Sequence, residues 1–257
     1  MKLRDRGARA PGRDSQSSTP GGFASAVGAM LLARVLFRDG LVIVINKPAG
    51  IPVHAGPGGG PNLEHGFMAL RFGLPRPPAL AHRLDRDTSG CLALGRHPKA
   101  LRRLGALFAA GRVAKVYWAI VSGHPPDPEG VIETGLAKRS RGAGWRMVID
   151  PAGQRAVTQY RVLGTADGRT WLELRPQTGR THQLRVHCAA LGCPIFGDGV
   201  YGEAAGEPLQ LHARSIALPL YPGRDPLAVT APAPAHMRPN LAHLGYEPGP
   251  GEGRLSP

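Results

Sequence analysis

Leu41-Val-Ile-Val-Ile45 places five apolar, largely β-branched residues in a row and is closed by Asn46-Lys-Pro-Ala-Gly50. Such a run reads as a buried strand ending in a turn, so the chain is committed to building a sheet and covering it. Lys115-Val-Tyr-Trp-Ala-Ile-Val121 reads as a second strand. Arg155–Leu163 and Thr170–Arg175 alternate like half-buried strands, and Asp167-Gly168 between them is a hairpin turn. Helical spacing is rarer. Pro98 suits a first helical turn, Leu101, Leu104, Leu107 and Phe108 form an apolar face, and Gly111 can stop the helix. A second helix is expected from about Thr181, where Leu184, Cys188 and Leu191 recur at i, i+4 and i+7 before Gly192. Strands outnumber helices and meet in hairpins, so the expected class is α+β with a mainly antiparallel or mixed sheet flanked by helices and loops, not a doubly wound nucleotide fold.

The 257 residues, 42% of them hydrophobic, can bury a sizeable core. At the N-terminus Lys2, Arg4, Arg6, Arg9 and Arg13 stand among Gly, Ser and Pro, so residues 1–30 are expected to be a flexible basic arm. A single folded domain is assigned to 31–246, and the Pro/Gly-rich residues 247–257 to a flexible tail. Phe23 to Phe37 is apolar, but Arg34 interrupts it and it is too short to span a bilayer, so no signal peptide or membrane segment is expected and the default is a cytoplasmic protein. The net charge is +14, and 27 of the 32 basic residues are Arg. A planar guanidinium fork suits phosphate, so the charge favours a polyanionic partner, RNA or DNA first. Cys91, Cys188 and Cys193 contain no CxxC pair and read as reduced, semi-buried thiols.

Three segments carry polar residues that packing does not require. In His82-Arg-Leu-Asp-Arg-Asp-Thr-Ser-Gly90, Asp85 lies beside Arg83 and Arg86 in sequence, which would keep it ionised if they are close in space. That suits a nucleophile or base and opposes the protonated acid of a glycosidase pair with Asp87. The kinase-like His-Arg-Asp is broken by Leu84, and the glycine-rich stretch after His54 lacks the Gly-Lys-Ser/Thr of a phosphate loop. In Arg175–His187, His182 and Arg185 share a helix face, and Arg185 is the natural ionic partner for Asp85, with a surface phosphate contact as the alternative. His182 and His187 are five apart with no Glu in a metalloprotease arrangement, so no metal site is expected. The third segment is the strand carrying Tyr117, which base rates alone would place in the core.

Together, Ile43–Gly50, His82–Gly90, Lys115–Ala119, Thr178–His187, Leu191–Asp198 with Tyr201-Gly202, and Leu211–Ala213 resemble the RluA-type pseudouridine synthases, which isomerise uridine in ribosomal or transfer RNA. The resemblance spans about residues 36 to 240, in family order. It implies a pseudouridine-synthase-like catalytic domain in which Asp85 is the catalytic aspartate, Arg185 its basic partner, and Tyr117 the aromatic that packs on uracil and helps remove the C5 proton. It further implies that Arg83 fills the space left by the flipped base and that Leu184 lines the uracil pocket. Arg86, Arg180 and His182 join them as expected substrate-binding residues. The residues before the domain are too few and too rich in Gly and Pro for the S4-type RNA-binding module many relatives carry, so substrate choice is expected to rest on the catalytic domain and the basic arm. The expected protein is a monomer acting on rRNA or tRNA, with no metal or nucleotide cofactor. Two other classes remain open from sequence: an RNA-binding or chaperone protein that keeps the fold without catalysis, and a hydrolase that uses Asp85 and releases free uracil.

Overall fold

The computed structural model describes residues 20–249 apart from 57, 58, 143, 204 and 205. The chain opens with α1 (Pro20–Leu32), β1 (Val35–Arg38) and β2 (Val42–Lys47), then a 3-10 helix at Leu63–Arg71. There follow β3 (Ala79–Leu80), β4 (Ser89–Gly95), α2 (Pro98–Ala109), β5 (Ala114–Ser122) and β6 (Glu129–Arg141). Next come β7 (Gly144–Ile149), β8 (Gln154–Ala166), β9 (Arg169–Pro176) and α3 (Gln183–Ala190). The last elements are β10 (Leu211–Leu218), β11 (Leu227–Thr230) and α4 (Arg238–His243). The strands form one sheet in the order β1-β2-β4-β10-β5-β9-β8-β6-β7, with β11 added to β10 and β3 to β4. Among the described residues the pair β4–β10 is parallel and the other ladders are antiparallel, which gives the expected mixed, mainly antiparallel α+β fold.

The apolar run in β2 is explained by cover on both faces. Ile43 and Ile45, with Leu92 and Leu94 of β4, pack under α1 and the 3-10 helix. Val42 and Val44, with Cys91 and Ala93, face α2 through Leu104 and Leu107. Successive residues point to opposite faces, so a strand buried on both sides shows no polar alternation. The other half of the sheet repeats the plan. Ala119, Val121, Leu172 and Leu174 pack on α3, while Trp118, Ile120 and Trp171 pack on Met237 and Leu241 at α4.

Several local expectations are met. His97 caps α2 by accepting the Ala100 N–H ahead of Pro98, and Asp167 and Gly168 both take positive φ, 45° and 71°, in the β8–β9 turn. Others need correction. The expected arm, 1–30, overlaps α1, whose Val27 and Leu31 are buried in the first core; the apolar stretch from Phe23 is a core helix, and residues 1–19 lie outside the described residues. The second helix begins at Gln183, two residues later than expected, because His182 adopts a left-handed conformation (φ 52°) at its N-cap. The three cysteines are fully rather than partly buried, and burial pushes the Cys91 thiol up to about 12. Tyr246, the last residue assigned to the domain, lies edge-on to Trp118 and Trp171; of the expected tail, residues 250–257 are outside the described residues.

Gly90 is the tightest junction in the sheet. It has φ 108°, and a Cβ there would lie 2.2 Å from the Ala213 carbonyl oxygen in the parallel neighbour β10. Gly90→Ala is therefore expected to destabilise the fold by about 3 kcal/mol or more, through both strain and overlap. Denaturant unfolding checks this, with Gly50→Ala as the comparison, since a Cβ at Gly50 meets no neighbour within 4 Å.

Candidate active site

The end of β2 fixes the loop that leads into β4. Lys47 pairs in register with Gly90, and its side chain is wholly buried. Its ammonium donates to the carbonyls of Pro48 (2.8 Å), Arg86 (2.7 Å) and Thr88 (2.9 Å), and the Arg86 carbonyl also accepts the Gly50 N–H at 3.0 Å. Burial draws the lysine pKa down, to about 7, while the charges of Asp87 and Asp85 draw it up. Three carbonyl acceptors match the three N–H bonds of an ammonium, so this is the charged form. The loop closes into a turn through the Thr88 N–H to the Asp85 carbonyl at 3.2 Å.

Within that loop Leu84 is buried in the first core and Asp85, next in sequence, is half-buried. Among the described residues no hydrogen bond or ion pair engages the Asp85 carboxylate. Its charge nevertheless acts through space on Lys47, Tyr117, His182, Arg185 and Tyr201. Tyr117 packs against both the first core and the core under α3, so the site lies on the seam between them. Burial raises the Tyr117 phenol, and Asp85 and Cys91 raise it further; it is a neutral phenol at physiological pH.

The other wall is α3. Gln183 holds the segment before it by accepting from the Thr178 hydroxyl (2.7 Å) and the Arg180 N–H (3.0 Å) and donating to the Val157 carbonyl and Thr158 hydroxyl at 3.0 Å. Leu184 is buried in the core at the seam. Arg185 is buried too, but its direct partner is not Asp85 as expected. Its fork donates to both oxygens of Asp198, at 2.7 and 2.6 Å, and Asp198 also accepts the Val200 and Tyr201 N–H groups at 2.9 and 3.1 Å. Burial disfavours both charges, but the paired hydrogen bonds and mutual attraction prevail, raising the Arg185 pKa and lowering that of Asp198. Arg185 thus faces Asp85 as a fixed cation held from behind. His182 stands beside it with its pKa lowered, mainly by burial, and its Nδ1 is 2.8 Å from the Tyr201 hydroxyl.

The remaining expected residues are at the rim. Arg86 is exposed and forked onto Asp87 (3.0 and 3.1 Å), not turned to Asp85. Arg83 is exposed, 3.4 Å from His54 Nε2, and with Arg180 lines a neighbouring groove. Arg180 also donates through Nε to the Arg155 carbonyl at 3.1 Å. Sequence reasoning assigned no role to Lys47, Asp198 or Tyr201. The available signal was Asp198 itself, a carboxylate closing the apolar Pro194-Ile-Phe-Gly197, where a charge requires a buried partner. Chemically the site offers a carboxylate with unused acceptors, an aromatic wall and a fixed cation.

Comparison with known proteins shows what the chain as a whole is similar to. The family model described as RNA pseudouridylate synthase matches residues 41–190. An RNA pseudouridine synthase of Zymomonas mobilis is 47% identical over 210 residues, 80% of this chain and 95% of that one. A ribosomal large subunit pseudouridine synthase D from the same organism is 38% identical over 179 residues, 66% of this chain and 56% of that one. The solved structure of human RNA pseudouridylate synthase domain containing 4 superposes with a TM-score of 0.75 at 29% identity, over 88% of this chain and 98% of that one.

Two outcomes follow from the buried charges. Lys47→Met strands the Arg86 and Thr88 carbonyls and is expected to cost about 2–3 kcal/mol in denaturant unfolding. Asp198→Asn leaves the Arg185 cation buried without a counter-charge, with an expected loss of about 3–5 kcal/mol. Because the folded-state pKa of Asp198 is depressed below 3.8, its contribution is present above that pH and lost as the pH falls through the depressed value; Asp198→Asn should flatten this acid limb of the stability profile.

Proposed function

The chain belongs to the RNA pseudouridylate synthase family, an isomerase family, and we propose that it converts uridine to pseudouridine in ribosomal or transfer RNA with Asp85 as the catalytic carboxylate. One observation carries the assignment of Asp85: a half-buried carboxylate without a hydrogen-bond or ion-pair partner among the described residues, on a loop held by a buried ammonium and surrounded by Tyr117, His182 and Arg185. Uridine and pseudouridine are isomers, so no electrons or atoms are gained or lost. The N1–C1′ bond breaks, the uracil turns, C5 bonds to C1′, the C5 proton leaves and N1 takes one up. A carboxylate with unused lone pairs supports this by attacking the ribose or taking a sugar proton, and the reaction requires no metal or nucleotide cofactor.

In this reading Arg185 is a fixed cation behind the reaction centre, and Leu184 and Tyr117 provide the apolar wall that retains the freed base. Tyr117 acts first by packing, since a phenol with a raised pKa is a poor base in its resting state. Arg83, Arg86 and Arg180 stand at the entrance with His182 beside them; Arg86 and Arg180 meet phosphates and Arg83 takes the space left by the extruded base, which offsets the cost of extruding a stacked uridine. A ribosomal target is favoured by the Zymomonas relative whose name gives the large subunit.

The test is tritium release from C5-labelled uridine in separate rRNA and tRNA pools. Wild type is expected to release tritium from one pool, and Asp85→Asn to lower the rate by at least about a thousandfold. A loss of only a few-fold, with folding intact, removes Asp85 from the chemistry.

A further inference from the structure

The β6–β7 hairpin carries a feature that the isomerisation chemistry does not use. Of the three tryptophans, Trp118 and Trp171 are buried in the core, whereas Trp145, opposite Ser140 at the start of β7, is 44% exposed. The Lys138 ammonium lies 4.6 Å from the centre of its ring, and the His182 imidazole stacks on it with centroids 5.1 Å apart. Beside it runs an open groove of about 550 Å³ whose walls include Arg83, Lys138, Trp145, Met147, Arg180 and Thr181. Among the described residues three cationic side chains line it and no carboxylate does.

An exposed indole among cations is the pairing that holds single-stranded nucleic acid: bases stack on the ring while guanidinium and ammonium groups meet the phosphates. We propose that this groove is a subsite for an unpaired nucleotide flanking the target uridine, with its base on Trp145 and its phosphates on Lys138 and Arg180. The proposal rests on the reading of Asp85 as the reaction centre. The Lys138 contact is no obstacle, since base stacking outweighs an exposed cation–π contact and the displaced ammonium is left within reach of the phosphate.

The subsite is in fixed register with the reaction centre. The Tyr201 hydroxyl accepts the Met147 N–H at 2.9 Å and meets His182 Nδ1 at 2.8 Å, tying β7 to α3. Arg185 lies over the Tyr201 ring at 5.1 Å. A base on Trp145 is therefore held at a set distance from Asp85, so the nucleotide neighbouring the uridine contributes to site selection.

The experiment compares two labelled RNA strands by fluorescence anisotropy: a central uridine flanked by adenosines, and the same backbone with the flanking bases removed. Wild type is expected to bind the first about 10-fold more tightly. Trp145→Ala should reduce that preference to less than about twofold, and Trp145→Phe should restore most of it. Lys138→Ala should keep the base preference and lower the salt dependence by about one phosphate contact. An undiminished preference in Trp145→Ala, or none in wild type, overturns the subsite. If wild type releases tritium while base preference is independent of Trp145, the subsite alone fails. A Trp145-dependent preference with no tritium release from any RNA removes the catalytic reading and with it the flanking-nucleotide assignment, leaving Trp145 as a base-stacking site only.

Discussion

A buried ammonium holds the reactive part of this molecule in place. Lys47 ends β2 inside the sheet, and two of its three donors satisfy the Arg86 and Thr88 carbonyls of the very loop that carries Asp85, the third going to Pro48. A loop crossing the end of a sheet normally leaves such carbonyls to water. Here the charge lies behind the loop, so the backbone on either side of Asp87 is fixed while the Asp85 carboxylate remains available. Desolvation of the lysine is offset by its three strong hydrogen bonds and by the two aspartates above it.

A second buried charge does the same for the opposite wall. Asp198 takes two Arg185 donors in a fork and accepts two backbone N–H groups besides, so the Arg185 charge has a direct partner other than Asp85. Direct pairing between Arg185 and Asp85 would occupy the carboxylate; pairing with Asp198 leaves only the through-space field. The two walls belong to different cores, and Tyr117 touches both. The site is therefore built on the junction of two rigid bodies of packing, with its electrostatics supplied from behind on each side.

Much of the fold was legible. The β-branched run of β2, the alternation of β8 and β9 and the Asp167-Gly168 turn are local signals, and local sterics decide them. The arm was drawn too long because α1 is apolar without a clear periodic stripe, and only its contact with the 3-10 helix shows that Val27 and Leu31 are core. Asp85, Tyr117, Arg185, Leu184 and His182 were singled out and do lie near one another, whereas the roles of Lys47 and Asp198 were not seen. A buried ion is defined by its partner, and both partners are remote in the chain: loop carbonyls 39 and 41 residues from Lys47, and a carboxylate 13 residues from Arg185.

The sequence alone determined the sheet-rich class, the basic character and the family, because strand propensity, turn chemistry and motif order are all written in neighbouring residues. Tertiary structure decided which cation meets which carboxylate, which aromatic stays exposed and how the loop of Asp85 is held. Those depend on distances between segments far apart in the chain, and desolvation turns such distances into large energies only after the chain has closed around them.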